Sequence, residues 1–258
     1  MRKLLQKVQW KLKKIFTKKY VKYKGVILPP RGRRFLRESY RNDKLFYEST
    51  VKEGKKLVER LGVTNNTKIL EIGCTTGRSF IGLVQKVPDI YYIGIDISKP
   101  NIDWCTKYLA ENNPNYNFHH FDLKHVMYNP KGTIELNDNF HFQYESNYFD
   151  LIYATGVIPN YIDTEVRLLL RDFNRMLKMG GKVFLTSFCE ENVPDMEENP
   201  ANYLIDNYTY PRQIVRFEKN YFKKMLDENG FSIESFEHRT EVEFQSAYYL
   251  KKTSAVIK

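Results

Sequence analysis

The stretch from Lys68 to Asp96 constrains this chain more than any other. It opens with a short apolar run, Lys68–Ile72, and turns through Gly73 and Gly77. A helical pattern then runs from Ser79 to Val87, where Pro88 ends it. A second apolar run, Tyr91–Asp96, finishes on a carboxylate. Strand, glycine turn, helix and strand in this order predict a βαβ unit, with a turn whose backbone a ligand can approach closely because glycine has no Cβ. Two familiar nucleotide turns do not fit. A dinucleotide fingerprint starting at Gly73 needs glycine at 75 and 78, and the chain has Thr75 and Arg78. A P-loop needs one more residue between its glycines and Lys-Ser/Thr after the last; here Arg78-Ser79 follows Gly77.

The alternation continues beyond this unit. Helices are expected over Asn101–Glu111, Thr164–Leu177 and Lys219–Asn229. Strands are expected over Asn117–Asp122, Phe149–Tyr153 and Lys182–Phe188, the last entered through a Gly180–Gly181 turn. Such βαβ order predicts a mostly parallel sheet with helices on both faces. The final strands, Phe231–Glu237 and Glu243–Lys251, have no helix between them and predict an antiparallel edge pair. Ahead of the first strand, residues 25–32 (GVILPPRG) read as an extended connector, because two prolines stop a helix. Residues 35–62 read as helical, with Gly62 as the stop.

The charge is unevenly placed. Residues 1–24 hold ten Lys and Arg and no acidic residue; removing those ten from 41 leaves 31, equal to the 31 Asp and Glu. The body is formally neutral, which argues against a diffuse nucleic-acid surface. In the tail, Met1, Leu4, Leu5, Val8, Leu12, Ile15 and Phe16 share one helical face, with most lysines opposite; Trp10 and Lys19 break the pattern. A basic amphipathic helix can lie on an anionic membrane surface, and it can equally pack on protein. The expected organisation is therefore a tail helix over 1–24, a connector and helical lead-in over 25–62, and one domain over 63–258.

There is no run of 18 apolar residues and no secretory h-region, and the three cysteines (Cys74, Cys105, Cys189) are scattered and odd in number. These features predict a reducing, cytoplasmic setting, with a peripheral membrane position as the second reading. No CxxC or HExxH occurs, so no metal site is expected.

The segment from Lys68 to Arg78 resembles motif I of class I S-adenosylmethionine-dependent methyltransferases, acidic-x-Gly-x-Gly-x-Gly. Glu71, Gly73 and Gly77 match it, and Thr75 replaces the middle glycine. A positive φ there would be unfavourable for a β-branched residue. Residues 148–155 resemble motif IV of that family, and residues 175–185 resemble its helix–Gly-Gly–strand segment, with Met179 where proline is common. Residues 221–231 look like the family's last helix and strand. The resemblance implies a Rossmann-like α/β fold with a seven-stranded, mostly parallel sheet, an antiparallel edge pair and an N-terminal helical extension. It implies S-adenosyl-L-methionine as cofactor, held by Glu71, Gly73, Cys74, Thr75, Gly77 and Thr155. Asp96, ending the second strand, can accept from both ribose hydroxyls, and Ile97 would lie against the adenine. By the resemblance, Asp122 meets the adenine amino group and the neighbouring backbone at Leu123 meets a ring nitrogen.

The acceptor is less legible. The Asn/Asp-Pro-Pro-Tyr/Phe of amine-directed methyltransferases of this fold is missing; Pro159-Asn160-Tyr161 is in another order. Asp150 falls inside a strand pattern, which disfavours a carboxylate-held metal. None of the five histidines has a context marking it as a base, so no catalytic residue is assigned. Residues 113–122, 128–132 and 28–32 are similar to bacterial methyltransferases of polysaccharides, glycolipids or natural products. That implies O-methylation of a sugar or other small hydroxyl acceptor. A nucleic-acid acceptor and a non-catalytic cofactor-binding module are the alternatives. Residues 190–217, rich in tyrosine, read as a lid or acceptor wall.

Overall fold

The computed structural model describes residues 19–34 and 37–256. Residues 1–18 of the expected tail helix lie outside them. The expected helix does not extend through residue 24. Val21–Tyr23 (β1) and Val26–Leu28 (β2) form a small antiparallel hairpin, so the connector is partly a strand. Its turn runs through Lys24 and Gly25, both at positive φ. Leu28 is fully buried and anchors the hairpin beside Phe46 of helix α1, Asp43–Glu59. The α1 N-terminus is capped by the Asn42 side chain, which accepts from the Leu45 N–H at 3.1 Å.

The βαβ unit forms as the spacing predicts: β3 Lys68–Ile72, α2 Arg78–Val84, β4 Tyr91–Asp96, α3 Lys99–Leu109 and β5 Tyr116–His120. β6 Phe149–Ala154 follows, then α4 Asp163–Met176 and β7 Leu177–Glu190. The expected Gly180–Gly181 turn is instead a bulge inside β7. Phe149 pairs with Leu177 but Leu151 with Lys182, so the extra residues loop out without ending the strand. The remaining elements are β8 Met196–Glu198, β9 Val215–Glu218, α5 Lys219–Glu228, β10 Phe231–Glu237 and β11 Ser246–Lys252.

The main sheet has nine strands rather than the seven expected. Seven lie in the order β10-β11-β7-β6-β3-β4-β5, with β10 and β11 antiparallel at the edge. The two extra strands come from the segment read as a lid: β9 pairs parallel with the end of β7, and β8 pairs with β9. They escape a sequence reading because both are short and charged. β9 holds because its alternate residues Val215 and Phe217 are fully buried.

Alternation along the strands separates two cores. Leu70, Ile152 and Leu185 pack with Leu169 and Phe173 of α4 and Phe222 of α5. Ile69, Tyr153 and Phe184 pack with Leu57 of α1, Phe80 of α2 and Trp104 of α3. Helices thus cover both faces. The chain leaves β3 toward β4 and β5, then returns to β6 on the other side of β3. That reversal opens a crevice beyond the carboxyl ends of β3 and β6, where ligands bind in open α/β sheets. No helix among the described residues is long and apolar enough to cross a membrane.

Helices α1 and α2 approach backbone to backbone at Gly54 and Gly82. A Cβ on Gly82 would sit 1.7 Å from the Thr50 carbonyl oxygen. Glycine to alanine in a helix normally stabilises by up to about 1 kcal/mol. Here Gly82→Ala is expected to destabilise by about 1–3 kcal/mol through overpacking, lowering Tm by roughly 3–10 °C in thermal unfolding. An unchanged or higher Tm would show that the helices are not packed this closely.

Candidate cofactor site

The turn after β3 is sewn to the end of β4. The N–H groups of Gly73 and Cys74 both donate to the Ile95 carbonyl, at 2.9 and 3.0 Å. The Thr75 N–H donates to Asp96 Oδ2 at 2.9 Å, and the Ser98 N–H donates to Asp96 Oδ1 at 2.7 Å. Asp96 is 8% exposed, and burial raises its carboxyl above the ordinary range while these two bonds oppose the rise. Each carboxylate oxygen keeps a further lone pair. Gly73, Thr75 and Gly77 have φ of 74°, 48° and 72°. Thr75 therefore holds the left-handed conformation that a glycine would take without strain, about 1–2 kcal/mol unfavourable for a residue with a Cβ. A Cβ on Gly73 would lie 2.9 Å from Val157 Cγ2, and one on Gly77 would lie 2.5 Å from Leu109 Cδ1.

Glu71, Gly73, Cys74, Thr75 and Thr155 come together on the lining of one open pocket. Glu71 is buried and accepts from the Tyr92 hydroxyl. Burial pushes its carboxyl up to about 7, against the downward pull of Tyr92, Ser79 and the Arg78 charge. The Cys74 thiol is fully surrounded by protein and is pushed well up by burial, so it packs rather than reacts. The Thr155 hydroxyl is buried with no hydrogen-bond partner among the described residues.

Asp96, Ile97, Asp122 and Leu123 lie beyond this pocket's lining, at the ends of β4 and β5. Ile97 and Leu123 supply apolar surface there, Leu123 being 4% exposed. Asp122 does not end the third strand, since β5 stops at His120. Its carboxylate clamps its own loop: Oδ1 accepts from Asn129 Nδ2 at 2.9 Å, and Oδ2 from Thr133 Oγ1 at 2.8 Å. Those hydrogen bonds hold Asp122 below the ordinary carboxylate range. The Leu123 N–H donates to the Phe121 carbonyl at 2.8 Å.

Sequence reasoning missed several wall residues. Arg78 and Ser79 open α2, and Gly156 follows β6; all were within sight of the motifs. Val242 and Gln245 had no local signal, because only the β10–β11 pairing brings their turn across. The Gly156 N–H donates to Thr186 Oγ1 at 2.8 Å, whose hydroxyl donates to Gln245 Oε1 at 2.5 Å. Beneath the pocket lies a buried ionic cluster. Arg78 Nη1 is 3.0 Å from Glu53 Oε1, Lys56 Nζ is 3.5 Å from Glu53 Oε2, and Lys56 also reaches Glu241 at 2.6 Å. Burial alone would raise Glu53; the Arg78 and Lys56 charges and the Tyr153 hydroxyl overcome it and hold the carboxyl at about 2.

His125 is no base. Its Nδ1 accepts from the N–H groups of Met127 and Tyr128, both at 3.2 Å. The proton therefore sits on Nε2, and burial lowers the ring's basicity.

Residues 69–181 match the methyltransferase domain family. This segment is a methyltransferase domain. The cofactor of a class I domain of this kind is S-adenosylmethionine. The chain is 25% identical to phosphoethanolamine N-methyltransferase 1 of Triticum aestivum over 206 residues, covering 78% of this chain and 36% of that one. It is 28% identical to phosphoethanolamine N-methyltransferase 3 of Arabidopsis thaliana, covering 58% and 28%. The chain spans about a third of the length of such curated relatives. Among solved structures, the 1,6-didemethyltoxoflavin-N1-methyltransferase of Burkholderia thailandensis superposes with a TM-score of 0.55 at 13% identity, covering 84% of each chain. A SAM-dependent methyltransferase from Methanosarcina mazei gives 0.52 at 16% identity, covering 74% of this chain and 94% of that one. These likenesses show the fold that carries the methyltransferase domain.

The Glu71 carboxyl has a signed consequence for stability. Its folded value near 7 lies above its unfolded value, so the fold favours the neutral acid. That contribution is fully present below about pH 4.5 and is lost as pH rises through 7. Glu71→Gln stays neutral throughout. The variant should therefore gain on the wild type by an amount of order 3 kcal/mol between about pH 4.5 and 8, read from urea titrations at several pH values. A pH-independent difference would contradict a buried, neutral Glu71.

Proposed function

We propose that this chain transfers the methyl group of S-adenosylmethionine to a small-molecule acceptor. The carrying observation is the stitched turn, Thr75 N–H to Asp96, beside a pocket lined by Glu71, Gly73 and Thr155. The residues suit such a cofactor. Asp96 keeps lone pairs for ribose hydroxyls, Ile97 and Leu123 offer apolar walls for a purine, and Gly73 leaves backbone bare where a side chain would collide with Val157. Glu71 and Thr155 would face the amino-acid end. The cofactor supplies a methyl carbon already activated by sulfonium charge. The chain supplies placement and a partly dry wall.

The acceptor's nucleophile is the finer question. The similarity to glycolipid and natural-product methyltransferases favours a hydroxyl of a sugar or other small acceptor. A hydroxyl nucleophile needs a base, and His125 has its ring committed. That commitment, together with the names of the curated relatives, favours a second reading, N-methylation of a small amine.

Calorimetric titration tests the cofactor. S-adenosylmethionine and S-adenosylhomocysteine should bind at micromolar level and NAD and ATP should not. Asp96→Ala should weaken binding by about tenfold or more, or about 1.4 kcal/mol. A folded protein that binds neither sulfur compound overturns the proposal. The basic residues of 1–24 would hold the enzyme on an anionic surface. Cosedimentation with phosphatidylserine vesicles should fall sharply when residues 1–18 are deleted; equal partition of both forms rejects that role.

A further inference from the structure

The turn joining β10 to β11 is built against its own backbone preferences. Glu243 and Phe244 are consecutive and neither is glycine, yet they hold φ of 58° and 62°. Such strain persists where the surrounding structure imposes it, and it clusters at ligand sites. The residues on either side, Val242 and Gln245, line the same pocket as Glu71, Gly73 and Thr155. Glu243 and Phe244 are therefore carried at its rim.

Two further observations meet there. Phe244 and Tyr128 are the most exposed aromatic side chains among the described residues, at 61% and 62%. Tyr128 stacks on His125, ring centroids 5.0 Å apart, and His125 packs edge-on against Tyr161 at 5.1 Å. Its ring is thus held from beneath while its outer face stays open. The Glu243 carboxylate makes no hydrogen bond or ion pair among the described residues. Tyr128 stands within its electrostatic reach, as does the guanidinium of Arg37.

We infer that Glu243, with the exposed faces of Tyr128 and Phe244, forms a clamp for the acceptor and selects an amine nucleophile. A carboxylate with no ion pair among the described residues, near aromatic faces, suits an ammonium group, which gains from both the charge and the ring quadrupoles. A hydroxyl of the same size can donate one hydrogen bond to the carboxylate but carries no charge for the carboxylate or the rings to attract. The inference rests on the methyl-transfer reading and names its acceptor class. Once bound, the ammonium gives one proton to water in the open cleft. The freed nitrogen lone pair bonds to the methyl carbon as the carbon–sulfur bond breaks, leaving a neutral thioether and a methylated ammonium. Glu243 here is a binding group, not a base.

The test uses the full chain saturated with S-adenosylhomocysteine. Ethanolamine phosphate, ethanolamine and N-methylethanolamine phosphate are titrated beside 2-hydroxyethyl phosphate, which replaces the ammonium by a hydroxyl. The wild type should prefer amines by about tenfold or more. Glu243→Gln should lose that preference, Glu243→Asp should recover part of it, and neither should change affinity for S-adenosylhomocysteine. Under turnover, Glu243→Gln should raise KM for the amine more than it lowers kcat. Equal binding of the hydroxyl analogue, an unaltered preference in Glu243→Gln, or no amine binding by a protein that binds S-adenosylhomocysteine overturns the inference. Failure to bind S-adenosylhomocysteine at all would instead overturn the methyl-transfer reading beneath it.

Discussion

The carboxylate of Glu53 is where the parts of this fold meet. It sits on α1, receives Arg78 from the first turn of α2 and Tyr153 from β6, and shares Lys56 with Glu241 of the β10–β11 turn. With a side chain only 4% exposed, a lone charge would be untenable, and the ions persist because each faces its opposite. Removing one partner from such a cluster typically costs about 3–5 kcal/mol, because the other charge stays buried. The consequence here is geometric. Helix α1, helix α2, strand β6 and the distant rim turn share one anchor beneath the pocket floor.

Above that anchor the site has two halves of different character. The β3 turn is stiff: the Ile95 carbonyl and the Asp96 carboxylate fix its backbone, and Thr75 is held at positive φ by those bonds. The opposite wall comes from the β10–β11 turn, where Val242 and Gln245 line the pocket and Glu243 and Phe244 between them present side chains to solvent. A rigid half suits an invariant cofactor, and a loop-built half suits an acceptor that differs from one enzyme to the next.

Much of this was legible in the chain. The residue bounds of β3, β4 and β10 follow directly from their apolar runs, and Gly62 takes the positive φ expected of a glycine that stops a helix. Thr75 stands where a glycine would be free of strain, and the backbone does hold the left-handed region there. Other features were illegible for reasons of range. β8 and β9 are short and charged, and their strand character comes from pairing with β7. The Gly180–Gly181 bulge looks like a turn until β6 supplies the partner that carries the strand through. Asp122 looks like a free strand-end carboxylate until Asn129 and Thr133 fold back onto it.

The sequence by itself determined the layered α/β domain, the glycine turn after β3 and the carboxylate at the end of β4. Each of these depends on residues near one another in the chain and on periodicities that local sterics enforce. Only the tertiary structure decided that Glu53 and Arg78 would pair, that His125 would have its lone pair occupied, and that Glu243 and Phe244 would stand at the pocket's rim. Those outcomes depend on contacts between segments far apart in sequence, and a side chain's partners, exposure and charge state are fixed only when packing has chosen its neighbours.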